Sequence, residues 1–453
     1  MGLLACGLRW PGLFHEFWFD EVYSALWVQA EVIHPADILT SPSSDNNHPL
    51  VSLWMYLAGA TSRWELYRLP SFAGGLAAVA LATWFVRRFD RLTSLLAALL
   101  LAVSYPLVVY STEARGYALM LCFGLLAAEL LYRRRHPAAF CAAFVLGTLS
   151  HLTFLHFYAA LLVGTPFLAC REGASVAQRV KESLRWHLGP MAFFSFYGLV
   201  FLSRRNVLGA PPTPWSEFLA DFLEALFGGW QWRAVNQLSW IAGIVAILWA
   251  LDRVRRHHLG LFTALIAGAF LAPPALTLAG AWMKSVLLVH SRYLLPTILV
   301  SLLLLAYAIA SMWKRGGYWR LAAVVQLTLV VGGHLQQDIR FLVGGRGGYK
   351  AALEGMASGA DGGRKTLSAA SVFRVSALLS YYVPLLGMEM DFRPETPAGA
   401  TADWHILETL RPEGRVPERF VADSGAVYKL YSDHSYYGPS GQRWTLYRRQ
   451  EGP

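Results

Sequence analysis

Long apolar stretches separated by short polar connections dominate the first three quarters of this chain. Ten of them reach or approach the length of about 20 residues that an α-helix needs to cross a bilayer. They cover residues 69–87, 92–111, 114–132, 137–154, 156–170, 187–203, 237–252, 259–280, 293–312 and 319–335. The pattern predicts a polytopic α-helical membrane protein, and we expect about 10 to 11 transmembrane helices once the N-terminal residues are included.

The residues before these stretches predict a long outer loop. Residues 1–14 are apolar but too short for a full span, and they lack a basic start and a cleavage site. We therefore expect a truncated first span rather than a signal peptide. Residues 20–66 then form the first outer loop, in which Leu50–Ala60 suits a helix in the membrane interface, begun by Pro49. Residues 1–335 are assigned to one transmembrane domain.

The composition changes after residue 335. The run Gly344-Gly345-Arg346-Gly347-Gly348 is typical of a flexible connector. The elements predicted beyond it are a helix over 349–358, a helix or strand over 372–383 and again over 426–431, and a strand over 444–447. Residues 336–453 are therefore predicted to form a small extracytoplasmic α/β domain.

Basic residues are distributed unevenly over the connections. The net charge is +10, but 55% of the residues are hydrophobic and 15% are charged, against roughly 25% charged in soluble proteins. Lysine and arginine cluster in every second connection, at residues 87–91, 133–135, 179–185, 253–256 and 314–320. The positive-inside rule assigns these connections to the cytoplasm. The positive charge thus indicates orientation, and no nucleic-acid partner is expected.

The opposite face mixes acidic, basic and histidine residues, which an orientation signal does not require. Asp20 and Glu21 are adjacent at the start of the first outer loop. Carboxylates at a membrane face are costly and usually functional. One reading is a general base or a metal ligand. The other is a carboxylate pair that caps a helix over residues 22–32, and the two readings are compatible.

A second acidic residue lies in another outer connection. Glu113 and Arg115 stand between two predicted spans, followed by Tyr117. They could form a structural ion pair, or Glu113 could join the catalytic carboxylates while Arg115 and Tyr117 bind substrate. Asp20 and Glu113 are the candidate ligands if a divalent cation takes part, although the sequence has no Asp-x-Asp motif.

A cationic and aromatic set lies late in the outer face. Positive charge on this face opposes the inside rule. One interpretation is that these residues bind a phosphate group. The other is that they are interfacial side chains that reach toward water. The candidate substrate-binding residues outside the Glu113 loop are Arg205, Lys284, His290, Arg292 and Tyr293, with His48 and His156 at the ends of apolar stretches. His151 belongs to the same outer set. A lone histidine at a span end is more often an interfacial polar tip.

Five motifs in this order resemble those of a known family. They are Phe17-Trp18-Phe19-Asp20-Glu21, His48-Pro49, Arg68-Leu69-Pro70-Ser71, Tyr110-Ser111-Thr112-Glu113-Ala114-Arg115-Gly116-Tyr117, and Ser291-Arg292-Tyr293-Leu294-Leu295-Pro296. Over residues 10–335 the chain resembles the GT-C glycosyltransferases of the protein O-mannosyltransferase and lipid A aminoarabinose or galacturonic acid transferase type.

The resemblance implies inverting transfer of a hexose or pentose from a polyprenyl-phosphate donor in the cell membrane. The acceptor would be a lipid, glycan or protein on the periplasmic or extracytoplasmic face, as in lipopolysaccharide or protein glycosylation. Asp20 would be the base or acceptor-positioning group. Glu113 and Arg115 would take the second-loop positions, and Lys284 and Arg292 would contact the donor phosphate.

A polytopic transporter or lipid flippase is the alternative from another class. It predicts internal repeats and ionisable residues near the middle of the spans. The sequence shows no repeat, and its charges gather at the span ends. It also has no Walker A, HExxH or GxSxG motif, so soluble nucleotide, zinc-protease and α/β-hydrolase chemistry have no visible basis.

Overall fold

The computed structural model describes most of the chain. The described residues are 1–41, 47–168, 173–204, 215–273, 275, 290–358, 364–369, 371–394, 402–409, 416–422, 424–435 and 443–450. Two candidate binding residues, Arg205 and Lys284, lie outside them.

Helices account for nearly all of the regular structure before residue 358. The first nine are α1 Gly2–Arg9, α2 Phe19–Glu31, α3 Asp37–Thr40, α4 Pro49–Ala58, α5 Trp64–Val86, α6 Arg91–Val103, α7 Tyr105–Ser111, α8 Tyr117–Tyr132 and α9 Pro137–Ser150. The next eight are α10 Phe154–Leu168, α11 Val176–Val200, α12 Trp215–Phe227, α13 Arg233–His257, α14 Leu259–Leu265, α15 Leu295–Arg315, α16 Tyr318–Gly344 and α17 Tyr349–Ser358. Each predicted apolar run carries helix, and the polytopic helical class is confirmed.

These helices vary in length more than the predicted membrane spans do. Within the described residues, three helices are long and apolar enough to cross a membrane, namely α5, α13 and Ser291–Arg315. The bent pair α6 and α7 makes a fourth if it is counted as one span. Helices α8, α9 and α10 are apolar but shorter, and fall below the roughly 20 residues that a perpendicular crossing needs.

The chain divides into two compact units. The first contains Met1–Leu13, Val32–Leu57 and Glu65–Ile339, and the second contains Phe14–Glu31, Ala58–Trp64 and Arg340–Pro453. The second unit therefore includes the segment with Asp20 and Glu21. The predicted boundary between residues 335 and 336 stays a prediction, and in the structure the chain passes into the second unit at residue 340.

The core of the first unit is built from leucine-rich helices. Helix α15 packs against α6, and α8 packs against α9. Leu100, Leu302 and Leu305 are completely buried in this core. Burying such a side chain stabilises a fold by about 1.5–3 kcal/mol when the alternative is exposure to water. Inside a bilayer, close packing between the helices provides the stabilisation instead.

The predicted span over 92–111 is wrong as a continuous helix. Helices α6 and α7 meet at Ser104 with a bend of 61°. Pro106 has no N–H group and cannot bond to the carbonyl four residues earlier, that of Ala102. Arg9 replaces the missing donors, because its Nη1 donates to Ala102 O at 2.9 Å and its Nη2 to Leu101 O at 3.1 Å. The carbonyl groups left open at the break thus accept hydrogen bonds from a buried guanidinium group.

The second unit is an α/β fold. Its described residues form a six-stranded sheet in the order β2-β1-β3-β6-β5-β4, in which β1 pairs in parallel with β2 and β3 and the other pairs are antiparallel. Its strands are β1 Lys365–Ala369, β2 Met390–Pro394, β3 Trp404–Thr409, β4 Arg419–Val421, β5 Val427–His434 and β6 Arg443–Arg449, with α18 at Val372–Leu385. The predicted α/β composition of this region is confirmed. The two ambiguous segments resolve as a helix at 372–385 and a strand at 427–434.

Candidate functional site

The turn between α7 and α8, which the charge pattern predicts on the outer face, is buried in the first unit. Glu113 is 2% exposed and Arg115 is 3% exposed. The backbone N–H of Arg115 donates to the carbonyl of Glu113 at 2.7 Å, which folds the turn tightly. Gly116 is required at its end, because an added Cβ would overlap the carbonyl oxygen of Ser150. The two charged residues are therefore held inside the protein rather than at a solvated surface.

His48 connects this turn to the first outer loop. Nε of Arg115 donates to Nε2 of His48 at 2.9 Å. The other ring nitrogen, Nδ1, lies 3.3 Å from the carbonyl oxygen of Ser150. The backbone N–H of Gly116 also donates to Nδ1, at 3.2 Å. His48 thereby fixes the orientation of the Arg115 guanidinium.

Aromatic rings enclose the same place. The Tyr117 ring stacks on His151 at 4.1 Å between centroids, and His48 lies 4.7 Å from His151. Tyr110 is 4.8 Å from Tyr117 on another side. Among the described residues the Tyr117 hydroxyl has no hydrogen-bond partner, and the side chain is fully buried. We refer to His48, Arg115, Tyr117 and His151 as the histidine–arginine cluster.

The segment before α15 reaches the same cluster. Ser291–Leu294 is a 3₁₀-helix. The Tyr293 ring lies 6.5 Å from His151, and the Arg292 Cζ lies 5.4 Å from the Tyr293 ring centroid. The charges of Arg115 and Arg292 both act on Tyr117.

Two histidines complete this part of the site. The backbone of Tyr293 acts on the ring of His156, and the His290 ring centroid lies 6.0 Å from that of Tyr293. The structure thus brings together the predicted residues His48, Arg115, Tyr117, His156, His290, Arg292 and Tyr293, with Glu113 in the same turn. The sequence has no signal for the Ser150 carbonyl group, which lies 3.3 Å from Nδ1 of His48 and against Gly116.

Asp20 and Glu21 begin α2 in the second unit. Glu21 is completely buried, and its Oε2 accepts a hydrogen bond from the backbone N–H of Trp18 at 3.3 Å. That bond is half of a capping box, so Glu21 has the capping role that was the alternative to catalysis. Asp20 is half-buried in the same first turn. Of the two carboxylates, Asp20 is therefore better placed to meet a substrate.

Residues that the sequence analysis did not select surround this turn. The Arg346 Cζ lies 3.9 Å from the Trp18 ring centroid. The carboxylate of Glu16 accepts from the backbone N–H groups of Lys350 at 3.0 Å and Ala351 at 3.3 Å. Burial raises the pKa of Glu16, while these hydrogen bonds oppose the rise. The signal in the sequence was a single arginine among four glycines.

Tyr349 is a buried tyrosine of this unit on which several charged groups act. It is completely buried, and the charges of Glu408, Arg346, Asp20 and Glu16 all act on it. Burial raises the pKa of its hydroxyl, which therefore remains a hydrogen-bond donor. Among the described residues that hydroxyl has no hydrogen-bond partner.

A metal site would need several ligands close together. In the part of the chain that the structure describes, no group of three or more histidine, cysteine, aspartate or glutamate residues could hold a metal ion. A divalent cation bound by Asp20 or Glu113 stays a prediction.

Comparison with known proteins supports the fold. No protein-family model matches the chain, and no curated protein matches it in sequence. Its fold is nevertheless similar to that of a solved structure. The crystal structure of ArnT from Cupriavidus metallidurans in the apo state is similar over 86% of this chain and 84% of that chain, with 12% identity and a TM-score of 0.52. The apo oligosaccharyltransferase of Archaeoglobus fulgidus matches over 87% of this chain and 63% of that chain, with 13% identity and a TM-score of 0.47.

Proposed function

We propose that this chain is an integral membrane glycosyltransferase that uses a polyprenyl-phosphate sugar as donor. The acceptor is a lipid, glycan or protein on the extracytoplasmic face of the cell membrane. The observation that carries the proposal is the placement of two guanidinium groups beside rings that contact His151. The Arg115 Cζ lies 5.4 Å from the Tyr117 ring centroid, and the Arg292 Cζ lies 5.4 Å from the Tyr293 ring centroid. Both come from connections that the charge ladder assigns to the outer face.

The histidine–arginine cluster suits a phosphate group. Guanidinium groups bind phosphate through two parallel hydrogen bonds, and they do so most strongly where water is excluded. Arg115 is almost fully buried and is oriented by His48. A lipid-linked donor can reach such a site from within the membrane, whereas a soluble nucleotide sugar in the cytoplasm cannot. Arg292 and Arg115 are therefore the proposed phosphate contacts.

The proposed reaction is a single inverting displacement. The acceptor oxygen or nitrogen forms a bond to the anomeric carbon, and the bond from that carbon to the phosphate oxygen breaks. The acceptor proton passes to the carboxylate of Asp20, which acts as general base. The electron pair of the broken bond leaves with the polyprenyl phosphate, and the arginines stabilise its added negative charge.

Turnover of the donor tests the proposal. The full chain in nanodiscs is given a panel of hexosyl and pentosyl polyprenyl phosphates with lipid, glycan and peptide acceptors, with and without a chelator. We expect release of free polyprenyl phosphate with at least one donor. Arg292→Ala should lose this release, and Arg315→Ala, on the cytoplasmic side of the charge ladder, should keep it.

Two results would overturn the proposal. One is a folded wild-type protein that leaves every donor intact. The other is movement of labelled polyprenyl-phosphate sugar across the bilayer without its consumption, which would favour the lipid flippase.

A further inference from the structure

We propose that Arg346 is a positioning residue that holds Trp18, and with it the first turn of α2, in place within the second unit. The inference rests on the proposed function, in which Asp20 of that turn is the general base. It gives the C-terminal part of the chain a task in the reaction.

The contact between Arg346 and Trp18 is buried and close. Arg346 is 3% exposed and Trp18 is 4% exposed, and the Arg346 Cζ lies 3.9 Å from the Trp18 ring centroid. The attraction between a guanidinium and an indole face is strongest when both are shielded from water. A planar guanidinium also stacks on the ring in a way that an ammonium cannot. The contact therefore restrains both the position and the tilt of Trp18.

Trp18 in turn fixes the start of α2. Its backbone N–H donates to the Glu21 carboxylate at 3.3 Å, and its carbonyl accepts from the N–H groups of Glu21 and Val22 at 3.0 Å. Asp20 lies within this hydrogen-bonded turn. A shift of Trp18 therefore shifts the Asp20 carboxylate, and displacement of a catalytic group by about 1 Å can cost on the order of a hundredfold in rate.

The glycine-rich segment is a built turn that presents Arg346. Gly345 has φ +66° and Gly348 has φ +84°, values in the left-handed region that residues with a Cβ rarely adopt. The space at Gly348 is also restricted, because an added Cβ would lie 3.1 Å from the Cβ of His434. The backbone angles of this turn therefore explain the glycines at 345 and 348 without the flexible connector that the sequence predicted. They allow the chain to turn on both sides of Arg346.

Further contacts hold the same segment from both sides. The hydroxyl of Tyr382 donates to the carbonyl of Phe17 at 2.6 Å. The Arg374 Cζ lies 5.9 Å from the Phe19 ring centroid. The residues before and after Trp18 thus contact α18, while Trp18 itself contacts Arg346, three residues before α17 begins. The charges of Arg346 and Asp20 both act on Tyr349.

Two variants of Arg346 and one control test the inference in the full chain in nanodiscs. Arg346→Met removes the charge and the planar group, and Arg346→Lys keeps only the charge. Arg448→Met is the control, because the Arg448 Cζ lies 5.6 Å from the Trp404 ring centroid in the same unit. The readouts are kcat and KM for the polyprenyl-phosphate donor, and amide hydrogen exchange over residues 18–24.

We expect Arg346→Met to lower kcat by about tenfold or more, with donor KM within about twofold of wild type. Exchange over residues 18–24 should become faster in the same variant. Arg346→Lys should lie between wild type and Arg346→Met in both readouts. Arg448→Met should match wild type.

The inference is overturned if Arg346→Met retains wild-type kcat, or if exchange over residues 18–24 is unchanged. If Arg346→Met fails to fold, the lysine variant decides: wild-type kcat and exchange in it contradict the inference. A wild-type protein without turnover refutes the proposed function instead, and the exchange comparison then still decides whether Arg346 holds this segment.

Discussion

Nε of Arg115 donates a hydrogen bond to Nε2 of His48 across 2.9 Å, although the two residues are 67 positions apart in the sequence. The bond uses the side of the guanidinium nearest the chain, so both Nη groups keep the orientation that it sets. His48 is held in turn by the start of α8, since the backbone N–H of Gly116 donates to Nδ1 at 3.2 Å. His48 is therefore a buried partner of Arg115 rather than an interfacial polar tip.

Replacement of Arg115 by lysine should separate charge from orientation. Lysine keeps the positive charge but has no Nε–H to give to His48, so we expect turnover to fall by about tenfold to a hundredfold. Arg133→Lys is the matched control, because Nε of Arg133 bonds to Glu129 at 2.5 Å in a connection on the basic face. Donor turnover in nanodiscs measures both. Equal activity of the two variants would contradict the role of Arg115.

Gly116 offers a test of the backbone geometry at the same site. Gly116→Ala would force its new Cβ into the carbonyl of Ser150, and backbone atoms cannot move aside cheaply. We expect displacement of the Ser150–His151 segment and loss of most turnover. Gly198→Ala is the control, because an added Cβ there meets nothing within 4 Å. If the Gly116 variant is as active as the Gly198 variant, the turn does not have the role assigned to it.

The sequence predicted the location of the helices better than their continuity. The run of apolar residues predicted helix where α6 and α7 lie. It did so because side chains that face lipid and side chains that face the core are both apolar. The break at Ser104 depends on Pro106, whose effect was readable, and on Arg9, whose partners are about ninety residues away. Hydropathy carries no information about such long-range hydrogen bonds. The bend could therefore be predicted from the proline, but not the donation by Arg9 to the carbonyl groups that the bend leaves open.

Removal of Arg9 should therefore destabilise the first unit. Arg9→Met leaves the carbonyls of Leu101 and Ala102 buried without their donors, at a cost on the order of 3 kcal/mol. The charges of Arg9 and Asp338 also act on each other. Adding Asp338→Asn to Arg9→Met should thus recover part of the loss. Thermal unfolding of the full chain measures this, and strictly additive effects of the two changes would refute the coupling.

The second unit should lose stability in mild acid. Burial lowers the pKa of His405 to about 4, so the unfolded chain takes up the proton first. The stability is complete above the unfolded pKa of about 6.5 and is lost as the pH falls from there toward 4, by an amount on the order of 3 kcal/mol. His405→Gln should remove this part of the pH dependence of the free energy of unfolding.

The measurement is the unfolding midpoint of the full chain, followed by hydrogen exchange within β3 at matched intrinsic rates. Identical pH dependence in wild type and His405→Gln would show that His405 is not the responsible group.

The candidate site was predictable in part. The residues of the outer turns were found because charge at an apolar boundary is conspicuous, and the structure gathers several of them around Tyr117. Arg346, Tyr349 and Glu16 were missed, because their importance comes from tertiary packing with the segment that carries Asp20. The capping bond of Glu21 likewise depends on where α2 begins, which the sequence locates only to within a few residues.

The most direct test of the whole account compares wild type with Asp20→Asn in one nanodisc preparation. Donor binding and release of polyprenyl phosphate in the presence of acceptor are measured for both. Asparagine fills the same space but cannot take up the acceptor proton, so the account predicts wild-type donor affinity and a loss of turnover of at least about a hundredfold. Turnover by Asp20→Asn at the wild-type rate would contradict it.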